Sequence, residues 1–424
     1  MSEPRITKEL YEESPGPGKS VSRSQEYLDR NLRRFERRSV TGESDYANEL
    51  YVRFSDDNGR SWGDWIDRYT ETYRRRDDLE MIWSPPETGI YNATHDHYVA
   101  INLQRIFLGD HHECYQRFWQ EGEASWTDHT FLHTTADLDN WKHQLVTYEP
   151  GAEFDADNWR NEGYVHVNEA YAGQNLEILP DGDIVFPIGG NVEVCCNILG
   201  LDVNEVFPSC PDIMHALIVV RGSWNGESYD LRPSRPVVIS DLKSSRGCDE
   251  PLVIPLSSGR IVAVFRGSNV ISEGWGTRIE AGTPAHKWFC FSDDGGETFS
   301  EAVPWHFDNR ELFYSPATIS RFIRARADGK PYWFGNITGP EAYGNSPRYP
   351  LVFAEIDEET GFLKRDTLAT VGDIEEGDSE KMQLSNFSIL DDRETDRLEL
   401  YVTKLGANRK DFWRSNAYRF LIEM

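Results

Sequence analysis

Seven of the eleven histidines fall between residues 95 and 143: His95, His97, His111, His112, His129, His133 and His143. Imidazole changes charge near neutral pH, so such a group suits proton transfer or metal ligation. In THDHYVAIN, His95 and His97 share one face of a strand or of its start. In DHTFLHTT, His129 and His133 also share one face of a strand. Asp96, Arg105, Asp110, Tyr115 and Asp128 lie among them. Two chemistries fit these residue types. One is general acid–base catalysis, which needs no cofactor, led by His97, His112, His129 and Asp128, with Arg105 as a substrate contact. The other is a divalent metal at the His95–His133 group. Downstream, NEGYVHVNEAYAGQNLEIL carries Tyr164, His166, Glu169, Tyr171 and Asn175. Strand alternation sends Tyr164, His166 and Asn168 to one side. Tyr164 and His166 are candidate substrate contacts and Tyr171 a candidate catalytic group; the alternative is a set of exposed edge residues.

The elements that must position these groups are bounded by composition. A chain of 424 residues with 38% hydrophobic and 12% aromatic content builds a substantial core. It is either two or three domains or one large repetitive fold. A net charge of −28 argues against a nucleic-acid partner. No run of about 18 apolar residues is present, so no membrane span is expected. The first twenty residues are polar, without the apolar core of a secretion signal, so the chain as written reads as cytoplasmic. Its six cysteines form no CxxC pair, and free buried thiols are expected.

The N-terminal region reads differently from the rest. SPGPGKS is a turn-rich linker, and SRSQEYLDRNLRRFERRS suggests a helix capped by Ser24, with Leu28, Leu32 and Phe35 on one face. The division expected is 1–45 as linker and helix and 46–424 as the main domain. Beyond it, strand–turn–strand phrases recur. They turn at Asp181-Gly182, Ser258-Gly259, Asp328-Gly329 and near Asp392. Asp-Gly and Ser-Gly between apolar runs are strong hairpin signals. The turns recur every 64 to 77 residues, which predicts an all-β propeller, six blades first and seven as the alternative. A β-sandwich or β-helix is the competing architecture.

FSDDNGRSW at 54–62 returns as FSDDGGETF at 291–299. Both fit Ser-x-Asp-x-Gly-x-x-aromatic, in which Gly permits positive φ and Ser and Asp bond nearby backbone N–H groups. ADLDNW at 136–141 is a degraded third copy. The pattern resembles the Asp-box of sialidase-like (BNR-repeat) β-propellers, where it is structural and lies away from the substrate. The resemblance extends to GCDEPLVIPLSSGRIVAVFRGSN. It implies that Glu250 is the base that activates a tyrosine nucleophile and that Arg266 grips a substrate carboxylate. Bottom-up, the strand IVAVFR is apolar up to its last residue, so Arg266 is partly desolvated and needs an anionic partner. Glu250 can supply one. By the same resemblance Arg348 is a second carboxylate-binding residue. At the tyrosine position, in MQLSNFSILDD, the sequence has Leu384, so the usual tyrosine nucleophile reads as missing. The reading that follows is a carbohydrate-active enzyme cleaving a glycosidic bond in an acidic glycan, uronate- or sialate-like. Hydrolysis stands ahead of β-elimination by a polysaccharide lyase, and a non-catalytic glycan- or protein-binding propeller is the opposing class. The expected partner is a glycan, with neither nucleic acid nor membrane.

Overall fold

The computed structural model describes residues 4–76, 79–83, 88–121, 124–151, 162–208, 215–271 and 277–424. Its strands form six sheets, paired antiparallel, and the fold is a six-bladed β-propeller. The chain divides into two compact units, which are described separately.

The first unit comprises residues 1–69, 284–287 and 305–424. One of its sheets runs Arg5–Glu12, Ala417–Glu423, Leu398–Thr403, Phe387–Asp391, so the first strand of the chain pairs with the last. A second runs Ser20–Tyr27, Arg34–Thr41, Glu49–Ser55, Ile66–Asp67, and a third Arg321–Arg324, Pro331–Asn336, Leu351–Glu355, Ala369–Gly372. The core of this unit includes Phe334, Phe353, Leu384, Leu400 and Phe420.

The helix expected after Ser24 is not formed. Ser20–Tyr27 and Arg34–Thr41 are antiparallel strands, with Ser24 opposite Arg37. The cause lies in which side chains point inward. Gln25, Arg34 and Glu36 are buried, and Arg34 donates to Gln25, Asn58, Tyr27, Asp392 and Glu399. A strand whose buried face is polar shows no hydrophobic alternation, so the sequence pattern hid its period of two.

The second unit comprises residues 70–283 and 288–304. Its sheets are built around His97–Phe107 with Trp126–Thr135, Ile184–Asn191 with His215–Trp224, and Asp249–Pro255 with Ile261–Arg266. Val99, Ile101, Phe186, Ile188, Ile218 and Val220 belong to one continuous core, and Val253, Ala263 and Phe265 to another. The four predicted hairpins form, with Gly182, Gly259 and Gly329 at φ of 88, 88 and 74°.

The repeated phrases make one and the same turn. Ser55 Oγ donates to Asp57 Oδ1 at 2.8 Å and accepts from Gly59 N at 2.8 Å; Ser292 Oγ does so with Asp294 at 2.7 Å and Gly296 N at 2.9 Å. In the degraded copy Thr135 takes the serine's place, and Asp137 Oδ1 accepts from Asn140 N at 2.7 Å. Hydrogen bonds from Ser61 hold the Asp57 carboxyl at about 2, below the usual range. Of the six cysteines, Cys210 lies outside the described residues, and the other five are free and buried. Among the described residues no helix is long and apolar enough to cross a membrane.

Candidate active site

A β-bulge sets the geometry of the second unit's most charged cluster. Asp249 pairs with Arg266, but Leu252 pairs with Val264, so the strand Asp249–Pro255 carries one residue more than its partner over that stretch. Glu250 takes up the extra residue at φ 46°. In a regular strand, neighbouring side chains point to opposite faces. Here the bulge turns two consecutive carboxylates toward one guanidinium. Arg266 donates from Nε and Nη2 to Asp249 Oδ2 at 3.1 and 2.9 Å, and its Nη1 lies 3.1 Å from Glu250 Oε2. Arg246 Nη2 adds a further contact to Asp249 Oδ2 at 3.3 Å.

Burial opposes ionisation of Asp249, yet Arg246 and Arg266 hold its carboxyl well below the usual carboxylate range. Its second oxygen stands 3.5 Å from Nδ1 of His215, the first residue of the strand His215–Trp224. The His215 ring in turn stacks on Tyr171, with centroids 5.5 Å apart and planes 24° from parallel. Tyr171 sits on the short strand Ala170–Ala172, opposite Gly189. Burial pushes its phenol up, and the negative charge of Glu250 pushes it further. The Arg105 guanidinium lies 5.9 Å from the Tyr171 ring centre. Arg105 is itself clamped by Asp128 through two bonds of 2.7 and 2.6 Å, and it donates to Tyr115 at 3.1 Å.

Trp126, Asp128, Glu169, Tyr171, Asn191 and His215 line a small, solvent-open recess with a cavity volume of about 20 Å³. Among the described residues its lining carries carboxylates and an imidazole, and no guanidinium or ammonium group.

The structure therefore gathers Glu250, Arg266, Tyr171, Arg105 and Asp128 from the sequence candidates. It disperses the histidines. Strand alternation turns His129 away from Asp128, into a buried stack on Tyr164 with centroids 4.5 Å apart. Burial lowers the His129 imidazole to about 4. The Tyr164 hydroxyl donates to Gln104, so both residues belong to the packed interior. His97 is buried beside Trp224 and bonded to the Tyr229 hydroxyl at 2.8 Å, and burial lowers its imidazole too. His112 is exposed on the helix His111–Glu121, its ring tilted 35° to that of His111 with centroids 4.0 Å apart. His166 is exposed at the end of a short helix, Glu162–His166, where strand alternation was expected. His133 and His143 face each other with Nδ1 atoms 2.7 Å apart. Among the described residues of this unit, the three-ligand group within reach of one ion is Glu80, Asp110 and His111, and it includes none of His95, His97, His129 and His133.

Arg348 lies in the first unit, where it donates to Gln383 and Ser385 at 3.1 Å each. Leu384 is 2% exposed and packs in that unit's core. The position where the resemblance puts a tyrosine is thus a core position. A tyrosine under the charge of Glu250 comes instead from another strand, as Tyr171.

Sequence reasoning missed His215, Asp249 and Arg246. The available signal was weak: a lone histidine opening the apolar run HALIVV, and an acid directly before Glu250.

Neither a family model nor a curated protein matches the sequence. Solved structures do. A protein of unknown function from Dyadobacter fermentans aligns over 98% of this chain and 99% of its own, with a TM-score of 0.59 at 12% identity. A variant of the NanB sialidase of Streptococcus pneumoniae aligns over 95% of this chain and 68% of its own, with a TM-score of 0.52 at 10% identity. The leech intramolecular trans-sialidase gives 0.51 at 11% identity, over 98% of this chain and 68% of its own. The fold is that of a sialidase-like β-propeller. At these identities the likeness of the propeller to its neighbours is one of fold, and the chemistry rests on the site itself.

Proposed function

We propose that this propeller is a glycoside hydrolase that works in the Tyr171 recess. The observation that carries the reading is the phenol of Tyr171 held between Arg105 and His215 under the charge of Glu250, at the wall of an open recess. A phenol is a weak nucleophile until a base takes its proton as it attacks, and we assign that task to Glu250, whose charge bears on the Tyr171 phenol. Attack of the phenolic oxygen on an anomeric carbon forms a glycosyl–tyrosine intermediate that water then opens, a retaining route. The sialidases among the fold neighbours favour a glycan as substrate by analogy.

The substrate's charge is argued from the recess. An acidic glycan was expected because Arg266 was read as a carboxylate clamp. Arg266 is instead paired with Asp249 and Glu250, and Asp128 and Glu169 line the recess. Those carboxylates repel an anionic sugar, so the reading favours a neutral glycosyl unit.

The test is a panel of aryl glycosides and oligosaccharides, neutral and carboxylated, assayed for phenol or reducing-end release. Turnover of a neutral member with retention, lost in Tyr171→Phe, is expected. Binding without turnover across the panel would return the propeller to the non-catalytic class.

A further inference from the structure

We propose that His215, held by Asp249, is the proton donor of this site: it protonates the departing glycosidic oxygen and later activates the water. The inference rests on the glycosidase reading and adds to it a residue and a role.

His215 is tightly placed. Its carbonyl accepts from Cys248 N at 2.8 Å, and its ring stacks on Tyr171. Two glycines leave it room. A Cβ at Gly189 would stand 3.0 Å from both Cβ and Cγ of His215. A Cβ at Gly247, which has φ +67°, would stand 2.3 Å from the His215 carbonyl oxygen. Gly189 thus leaves room for the His215 side chain, and Gly247 for its main-chain carbonyl.

The second step is electrostatic. A carboxylate at Nδ1 fixes the tautomer and orientation of an imidazole and leaves Nε2 for proton exchange. Asp249 is 3% exposed and doubly bound by arginines, so it is a fixed anion. The groups around His215 are Asp249 behind it, with Arg246 and Arg266 on that carboxylate, and Tyr171, Asp128 and Glu169 along the recess.

The third step is elimination among neighbours. Both oxygens of Asp128 accept from Arg105, and Glu250 faces Arg266, so each is engaged as an anion. Glu169 remains the rival donor. His215 has a partner carboxylate 3.5 Å from its Nδ1 and a stacking contact with the nucleophile's ring.

The chemistry balances. As the Tyr171 oxygen bonds to the anomeric carbon, Glu250 takes the phenolic proton and the glycosidic C–O bond breaks. The bond's electron pair goes to the leaving oxygen, which takes a proton from the His215 imidazolium and departs as an alcohol. Neutral His215 then accepts a proton from water while the water oxygen bonds to the anomeric carbon. The bond to Tyr171 breaks, and Glu250 returns the proton to the phenolate.

The test compares leaving groups within one variant. In His215→Gln and His215→Asn, kcat/KM is measured on an alkyl or oligosaccharide glycoside and on the dinitrophenyl glycoside of the same sugar. The first needs protonation of the leaving oxygen; the second does not. A loss of about 10²- to 10⁴-fold on the first, with less than about tenfold on the second, is expected. The ratio within one variant cancels the folded fraction, so partial misfolding does not obscure it. Equal losses on both substrates would make His215 a structural residue and overturn the proposal. A Glu169→Gln variant that reproduces the split while His215→Gln does not would assign the proton to Glu169. A wild-type protein inert on both substrates would instead remove the glycosidase reading, and the donor role with it.

Discussion

Glu250 reaches Arg266 from a bulged residue at φ 46°, with 3.1 Å between Oε2 and Nη1. The other side of the guanidinium belongs to Asp249. Removing one partner of a buried ion pair leaves the other charge uncompensated, a loss of about 3–5 kcal/mol. Arg266→Met should therefore cost about that much in urea unfolding at unchanged m-value. Arg266→Lys keeps the charge but cannot span both carboxylates, and roughly half that loss is expected. In the folded fraction the preference between a neutral and a carboxylated glycan should not change. If Arg266→Lys selectively weakens the carboxylated glycan, Arg266 is a substrate clamp after all.

Tyr171→Phe removes one oxygen and keeps the ring that stacks on His215. Its melting temperature should move by no more than a few degrees, since no core volume is lost. Turnover of the neutral glycoside should fall by about 10³-fold or more, as for loss of a covalent nucleophile. An accumulating glycosyl–enzyme in the wild type, found by mass spectrometry on a peptide containing Tyr171, is the direct check. A labelled peptide elsewhere would reassign the nucleophile.

How much of this was legible in the sequence follows from which signals are local. Asp181-Gly182, Ser258-Gly259 and Asp328-Gly329 announce hairpins because the turn chemistry sits in adjacent residues. Glu250 and Arg266 were legible for the same reason, as the two ends of one hairpin. The Asp249–His215 contact joins two different sheets, and no short-range pattern encodes it. Nor did the bulge announce itself, since it depends on a backbone angle at Glu250. The histidine-rich stretch misled because spacing gives the face of a strand but not whether that face is core or cleft. His129 and Asp128 are neighbours in sequence, yet one packs on Tyr164 and the other lines the recess. The strands Ser20–Tyr27 and Arg34–Thr41 were missed because the buried Gln25, Arg34 and Glu36 interrupt their hydrophobic alternation.

Asp294 closes its turn by accepting from Ser292 Oγ at 2.7 Å and from Thr298 N at 3.0 Å. Asp294→Ala should lower stability by about 1 kcal/mol, as loss of a capping-type hydrogen bond does, and leave kcat/KM on the glycoside unchanged. Thermal and urea unfolding, read beside a single kinetic assay, separate the two quantities. Lost activity at an unchanged melting temperature would mean that this turn serves the site directly.

Two consecutive acids in the first unit titrate in opposite directions. Although burial works against it, Asp392 is held at about 2, because it accepts from Glu394 N at 2.8 Å, Thr395 N at 3.0 Å and Asn58 Nδ2 at 3.2 Å. Burial pushes Asp391 up to about 6, although Arg326 N donates to it at 2.6 Å. An unfolded aspartate titrates near 4. For Asp392 the folded value is depressed, so its contribution is present above about pH 4 and is lost as pH falls toward 2. For Asp391 the folded value is raised, so its contribution is full below about pH 4 and is lost as pH rises through 6. Asp391→Asn keeps an acceptor for Arg326 N and removes the buried charge. It should stabilise the protein at pH 7 by under about 1 kcal/mol, the shift being discounted for partial exposure. The gain should disappear at pH 4, where the wild-type carboxyl is already protonated. Melting temperatures of both proteins at pH 4, 5.5 and 7 give the answer. A gain that is the same at every pH would reflect altered packing and would leave the raised Asp391 carboxyl without effect on stability.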